Sequence, residues 1–142
     1  MRVIVTVDDR GGVLFNHRRQ STDRVVRRKI EELTEGHALW MTKYTANQFI
    51  TLPEQARLSE QPLRDAGPED YCFVEGEPLL PYRDEIEELI RILWNRRYPG
   101  DVFLDLKPEE CGMVLHSTED FAGYSHEKIT MEIWRRKEGY NE

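Results

Sequence analysis

Asp23 is the carboxylate in this sequence best placed to act on a ligand, because it stands at the head of a segment with helical spacing and inside a run of cations. The run comprises Arg18, Arg19, Arg24, Arg27, Arg28 and Lys29, with Asp23 as the single acid among them. The plainer reading of Asp23 is a first-turn carboxylate that complements the helix dipole. Arg24, Arg27 and Arg28 share one helical face at i, i+3 and i+4. If the short loop carrying Arg18 and Arg19 folds back, five guanidinium groups surround one concavity. Guanidinium matches phosphate oxygens, so the chemistry expected of the stretch is capture of an anionic ligand, against the reading of a solvated face.

Other reactive side chains lack the spacing that chemistry needs. His17, His37, His116 and His126 form neither HxH nor HxxxH, so no metal site is expected. The chain has no GxSxG, no P-loop and no dinucleotide-binding glycine fingerprint. Trp40, Trp94 and Trp134 lie in apolar segments and read as core, and Ser125-His126 reads as a turn closing the last strand pair. Cys72 and Cys111, without metal-type spacing, read as thiols rather than a disulfide.

The elements that position these residues follow from hydrophobic period. Val3 to Val7 is β-branched and apolar on both parities, which predicts a central strand covered on both faces. Asp8 to Gly12 reads as a turn. Ser21 or Thr22 is the expected cap of a helix from about Thr22 to Glu35, with Val26, Ile30 and Leu33 at i, i+4, i+7 and Gly36 as its stop. His37 to Tyr44 reads as the next strand, which makes a βαβ unit and a parallel pair. Leu52 to Glu69 reads as loop, with one short helix near Glu54 to Leu58. Tyr71 to Val74 is a short strand. Asp84 to Leu89 favours helix, and Ile90 to Trp94 favours strand. Met113 to Ser117 and Lys128 to Trp134 are expected as late strands linked through Phe121 to His126.

The composition fits one globular domain over residues 1–142: 39% of residues are apolar and 33% charged. The net charge of −7 argues against a protein that coats nucleic acid with its whole surface. No apolar run reaches the roughly 20 residues of a membrane span. The first apolar stretch meets acid at Asp8, too early for a signal peptide, so a cytoplasmic location is expected.

In their order along the chain, these pieces resemble dihydrofolate reductase. The opening strand with Asp-Asp-Arg-Gly-Gly-Val-Leu-Phe-Asn16 is similar to that family's first strand and the loop that closes over its active site. His-Ala-Leu-Trp-Met-Thr-Lys43-Tyr-Thr45 resembles the strand and turn that meet the cofactor phosphates. Cys-Phe-Val-Glu75-Gly76 resembles the strand ending in paired glycines, Pro99-Gly100-Asp101-Val-Phe a Gly-Asp-Thr-x-Phe segment, and Ser125 to Trp134 the closing strand. The resemblance implies a dihydrofolate-reductase-like α/β fold: a mixed, mainly parallel sheet with flanking helices and antiparallel C-terminal strands. It implies a pocket built from the first strand, the Asn16 loop, the helix from Asp23 and the Lys43-Tyr44-Thr45 turn, with Asp23 as the acid that grips substrate. Val5, Asn16, Lys43, Thr45 and Gly76 are then expected to bind ligand, joined by Arg18, Arg19 and Arg24 of the basic stretch.

The sequence departs from the family where the chemistry is done. Thr42 and Lys43 replace a Gly-Arg pair, Glu75 replaces a glycine beside the cofactor pyrophosphate, and Ile92 stands near a threonine that partners the substrate acid. The loop after Asn16 is short and cationic and lacks the family's Trp. NADPH is the cofactor the resemblance implies, and these departures argue against it. The expected function is binding of a small anionic or heterocyclic ligand, nucleotide- or pterin-like, without reductase activity. The rivals are an NAD(P)H-dependent reductase with altered cofactor use, and an interaction module docking an acidic partner or RNA through Arg18 to Lys29.

Overall fold

Strand β1 (Arg2–Val7) is the fourth of seven strands in the main sheet of this computed structural model, which describes residues 1–137. Val3, Val5 and Val7 pack into one apolar layer and Ile4 into the other. That two-sided burial is what the apolar run on both parities predicts. Parallel neighbours flank β1: β6 (Tyr71–Phe73) on one side and β7 (Glu88–Leu93) on the other. The sheet runs β5-β4-β6-β1-β7-β10-β9. Its strands β4 (Leu39–Met41) and β5 (Ala56–Leu58) continue the parallel half, and β9 (Met113–Phe121) and β10 (Ile129–Arg136) form the antiparallel end. The sheet is therefore mixed and mainly parallel, as expected.

Helix α1 (Arg24–Leu33) lays Val26 and Ile30 on the face that carries Ile4, Ile90 and Ile92. The opposite face is covered by Leu63, Leu79, Ile86 and Leu106 from short helical turns and loops. Two further short helices, α2 (Lys43–Ala46) and α3 (Pro62–Asp65), sit in the connections.

Several local expectations are corrected. The cap of α1 is Asp23, not Ser21 or Thr22; its extended backbone places the carboxylate on the Val25 N–H. The strand expected over His37 to Tyr44 stops at Met41, because the Thr42 hydroxyl accepts from Thr45 N–H and starts α2. Glu54 to Leu58 holds no helix: Ala56–Leu58 pairs in parallel with Leu39–Met41 at the sheet edge. Asp84 to Leu89 is not helical either, since Leu89 and Ile90 are buried in opposite layers and Glu88 pairs with Arg2.

A second sheet, in the order β3-β2-β8, is made by β2 (Gly12–Phe15), β3 (Arg18–Arg19) and β8 (Val102–Phe103). Phe15 pairs with Arg18, so Asn16 and His17 form a two-residue turn. Their φ values of 52° and 63° are those of a type I′ turn, whose twist matches a hairpin. Glycine takes this conformation without the cost of roughly 1–2 kcal/mol that other residues meet. His17→Gly is expected to raise stability by about 0.5–1 kcal/mol, read from urea denaturation. A loss of stability would show that the turn is of another type.

Candidate functional site

Asp23 reaches further than the helix it caps. Its Oδ1 accepts from Val25 N–H at 2.8 Å and Tyr124 N–H at 2.9 Å. Its Oδ2 accepts from Ser125 N–H at 2.9 Å, the Ser125 hydroxyl at 3.1 Å and His126 Nδ1 at 2.8 Å. Gly123 permits this approach, because a Cβ there would lie 2.7 Å from Oδ2. Burial by itself would raise the carboxyl pKa; the Tyr124 and Ser125 N–H groups, the His126 ring and the Val25 N–H outweigh it and hold Asp23 ionised far into acid. The His126 ring stacks on Trp94 at 4.8 Å between centroids, and its Nε2 lies 2.9 Å from Ser21 Oγ and 3.1 Å from the Tyr98 hydroxyl.

Glu75 forms a second buried junction. Arg19 pairs with it twice, Nε to Oε2 at 2.9 Å and Nη2 to Oε1 at 3.1 Å, and Thr45 Oγ1 donates to Oε1 at 2.9 Å. The Arg19 guanidinium also lies over the Tyr44 ring, 4.3 Å from its centroid. The Glu75 side chain is only 4% exposed, so the pair ties the β2–β3 hairpin to α2 and the end of β6 through a largely desolvated contact.

Two concavities adjoin these junctions. One, of about 130 Å³, opens above the sheet between Val5, Val13, Val74, Gly76 and Phe103. The other, of about 320 Å³, is a groove between the hairpin and the next loop, lined by Phe15, Asn16, Arg18, Arg19, Gln20, Tyr98 and Pro99.

No family model matches the chain and no curated protein does. Among solved structures, it superposes on a dihydrofolate reductase from Enterococcus faecalis complexed with NADP(H) and RAB-propyl. The TM-score is 0.64 at 13% identity, over 96% of each chain. The chain has the dihydrofolate reductase fold.

The residues at the places the resemblance assigns to NADPH do not fit it. Where the family has a glycine against the pyrophosphate, Glu75 puts a carboxylate, and that carboxylate engages Thr45 and Arg19. The cavity of about 130 Å³ is also well below the roughly 300 Å³ at which small-molecule pockets begin.

The residues singled out from sequence fall into separate groups. Val5 and Gly76 line the small cavity, and Asn16, Arg18 and Arg19 line the groove. Thr45 is held by Glu75, and Lys43 is exposed on α2. Asp23 is enclosed by its own chain's donors. The basic stretch does not converge: Arg24 lies over the Tyr124 ring at 4.2 Å, Lys29 pairs with Glu119 at 2.9 Å, and Arg28 sits beside Glu31, Glu32 and Glu35. Sequence reasoning missed Ser21 and His126 as neighbours, along with Gln20 and Tyr98 as groove walls. Nothing in their spacing signals it, because Ser21 and His126 meet across 105 positions and Gln20 reaches Pro99 across 79.

A carboxyl whose folded pKa is lowered stabilises the fold above its unfolded pKa of about 4, and that contribution is lost as pH falls from there toward the folded value. Asp23→Asn is expected to cost about 2–4 kcal/mol at neutral pH. Urea denaturation at pH 7 and 2.5 checks this: the gap from the native protein should narrow on acidification, and an equal gap at both would refute it.

Proposed function

We propose that this protein binds a small anionic ligand, nucleotide- or pterin-like, in the groove between the hairpin and Tyr98-Pro99, and that it does not reduce dihydrofolate. The observation that carries the reading is Arg18. Its side chain is exposed on the groove of about 320 Å³ and, among the described residues, has no ion-pair partner. Arg19, by contrast, is already neutralised by Glu75. A guanidinium left unpaired beside a neutralised one is suited to an incoming phosphate or carboxylate. Phe15, 46% exposed, and Tyr98 offer ring faces on which a flat heterocycle can stack, a contact worth about 1–3 kcal/mol.

Against hydride transfer stands the misfit to NADPH together with the size of the cavity beside Val5 and Gly76. The reactants of such a transfer must lie in contact in near-attack geometry, and two ring systems need far more room.

Calorimetry with AMP and pterin-6-carboxylate tests the binding. At least one should saturate, with affinity falling as salt rises, and Arg18→Ala should weaken it about tenfold, the equivalent of one charge-assisted hydrogen bond. Absence of saturable binding by both, or an affinity indifferent to Arg18→Ala, would sink the reading. In a steady-state assay, NADPH-dependent turnover of dihydrofolate at about 1 per second or faster would sink its second half.

A further inference from the structure

We propose that Ser21, His126 and Asp23 form a nucleophilic relay that transfers the acyl group of small carboxylic esters to water. The three side chains are hydrogen-bonded in series: Asp23 Oδ2 is 2.8 Å from His126 Nδ1, and His126 Nε2 is 2.9 Å from Ser21 Oγ. An ionised carboxylate only accepts hydrogen bonds, so Nδ1 carries the proton and Nε2 presents its lone pair to the serine hydroxyl, with the Tyr98 hydroxyl 3.1 Å from the same nitrogen. That is the tautomer a general base needs. Asp23 is fixed by the N–H groups of Val25, Tyr124 and Ser125. Trp94 stacked on the imidazole fixes the ring plane.

The relay is also graded in access. The side chains of His126 and Asp23 are 4% and 0% exposed, whereas Ser21 is partly exposed. Ser21 stands outside the lining of the groove of about 320 Å³ but follows Gln20, one of its walls. It shares His126 Nε2 with the hydroxyl of Tyr98, another wall, so an ester reaches it from that end of the groove.

The chemistry balances without a further reactant. Ser21 Oγ attacks the carbonyl carbon and passes its proton to His126 Nε2. The bond from that carbon to the leaving oxygen breaks as the same proton moves to the alcohol. Water then attacks the acyl-serine, His126 takes its proton, the bond to Oγ breaks, and the proton returns to Ser21 as the acid departs. Ser21 and His126 are the catalytic residues; Asp23 is a positioning residue.

The relay stands on its own geometry. Only a preference for esters carrying an anionic group rests on the binding reading above, through Arg18. The test uses the full chain with 4-nitrophenyl acetate and its anionic hemisuccinate analogue, together with a fluorophosphonate label read by peptide mass spectrometry. Expected are an adduct on Ser21 and hydrolysis that falls about 100-fold or more in Ser21→Ala and in His126→Gln. Ser21→Ala removes one partly exposed hydroxyl, and circular dichroism checks that its fold persists. Asp23→Asn should shift the acid limb of the kcat/KM profile to lower pH, which a merely structural carboxylate would not do. No adduct at Ser21, hydrolysis equal to that of Ser21→Ala, or a pH profile unmoved by Asp23→Asn would each overturn the relay. Loss of preference for the hemisuccinate, with the adduct intact, would overturn the anionic specificity alone. AMP binding by Ser21→Ala reports the binding reading separately.

Discussion

The buried carboxylate of Asp23 joins parts of the chain that are more than 100 positions apart, and both the end of the sheet and the rim of the groove depend on it. It caps α1 through Val25 N–H and at the same time fastens the turn that carries Tyr124, Ser125 and His126 between β9 and β10. Desolvating an isolated carboxylate is costly; five donors converging on two oxygens offset that cost and leave a contact that tolerates little displacement. Because His126 is one of the five, its ring is set where the other nitrogen meets Ser21 and Tyr98. A single acid thus organises a helix start, a strand connection and one wall of the groove.

Glu75 performs a comparable service at the other end of the hairpin, and its effect on the cleft runs opposite to simple expectation. A carboxylate in place of a glycine would ordinarily repel an anion. Here Arg19 neutralises it in a two-point pair while Thr45 and Gln48 complete its hydrogen bonds. The pair's energetic worth is limited, since desolvation consumes much of the Coulombic gain. Its geometric consequence is larger: the hairpin is locked to α2, and Arg19 and Thr45 are removed from the set of groups able to hold a phosphate. Arg18, two-point pairing having gone to its neighbour, stays exposed on the groove.

The fold was legible wherever apolar period decides it. The two-parity run of β1, the i, i+4, i+7 spacing of α1 and the alternation of Ile129, Met131 and Ile133 in β10 all placed their elements, and their order carried the resemblance to dihydrofolate reductase. What failed was decided by contacts beyond local reach. Asp84 to Leu89 has helical composition, yet Leu89 and Ile90 must enter opposite layers. Ala56 to Leu58 becomes a strand only because β4 leaves an edge for it. Asp23 stands out in the sequence as the single acid among cations, but no local pattern names the turn over residues 124–126 as its partner. Helix spacing groups the guanidinium groups of the basic stretch, but the Tyr124 ring draws Arg24 one way and Glu75 draws Arg19 another.

The small cavity and the larger groove are linked through one close contact. A Cβ on Gly76 would lie 2.4 Å from Leu14 Cδ1, so the absence of a side chain at Gly76 lets Leu14 settle over the sheet. With β-branched Val5, Val13 and Val74 beneath it, the space above the sheet contracts to about 130 Å³. The hairpin that is drawn down in this way turns its outer edge toward the loop at Tyr98 and Pro99. That loop is fixed in turn by Asp8, which accepts from Gly12 N–H and Tyr98 N–H, and by Gln20, which donates to the Pro99 carbonyl. Walls held in place by these hydrogen bonds need little ordering on binding, which makes the rim of the sheet, and not the space above its centre, the better prepared surface of this fold.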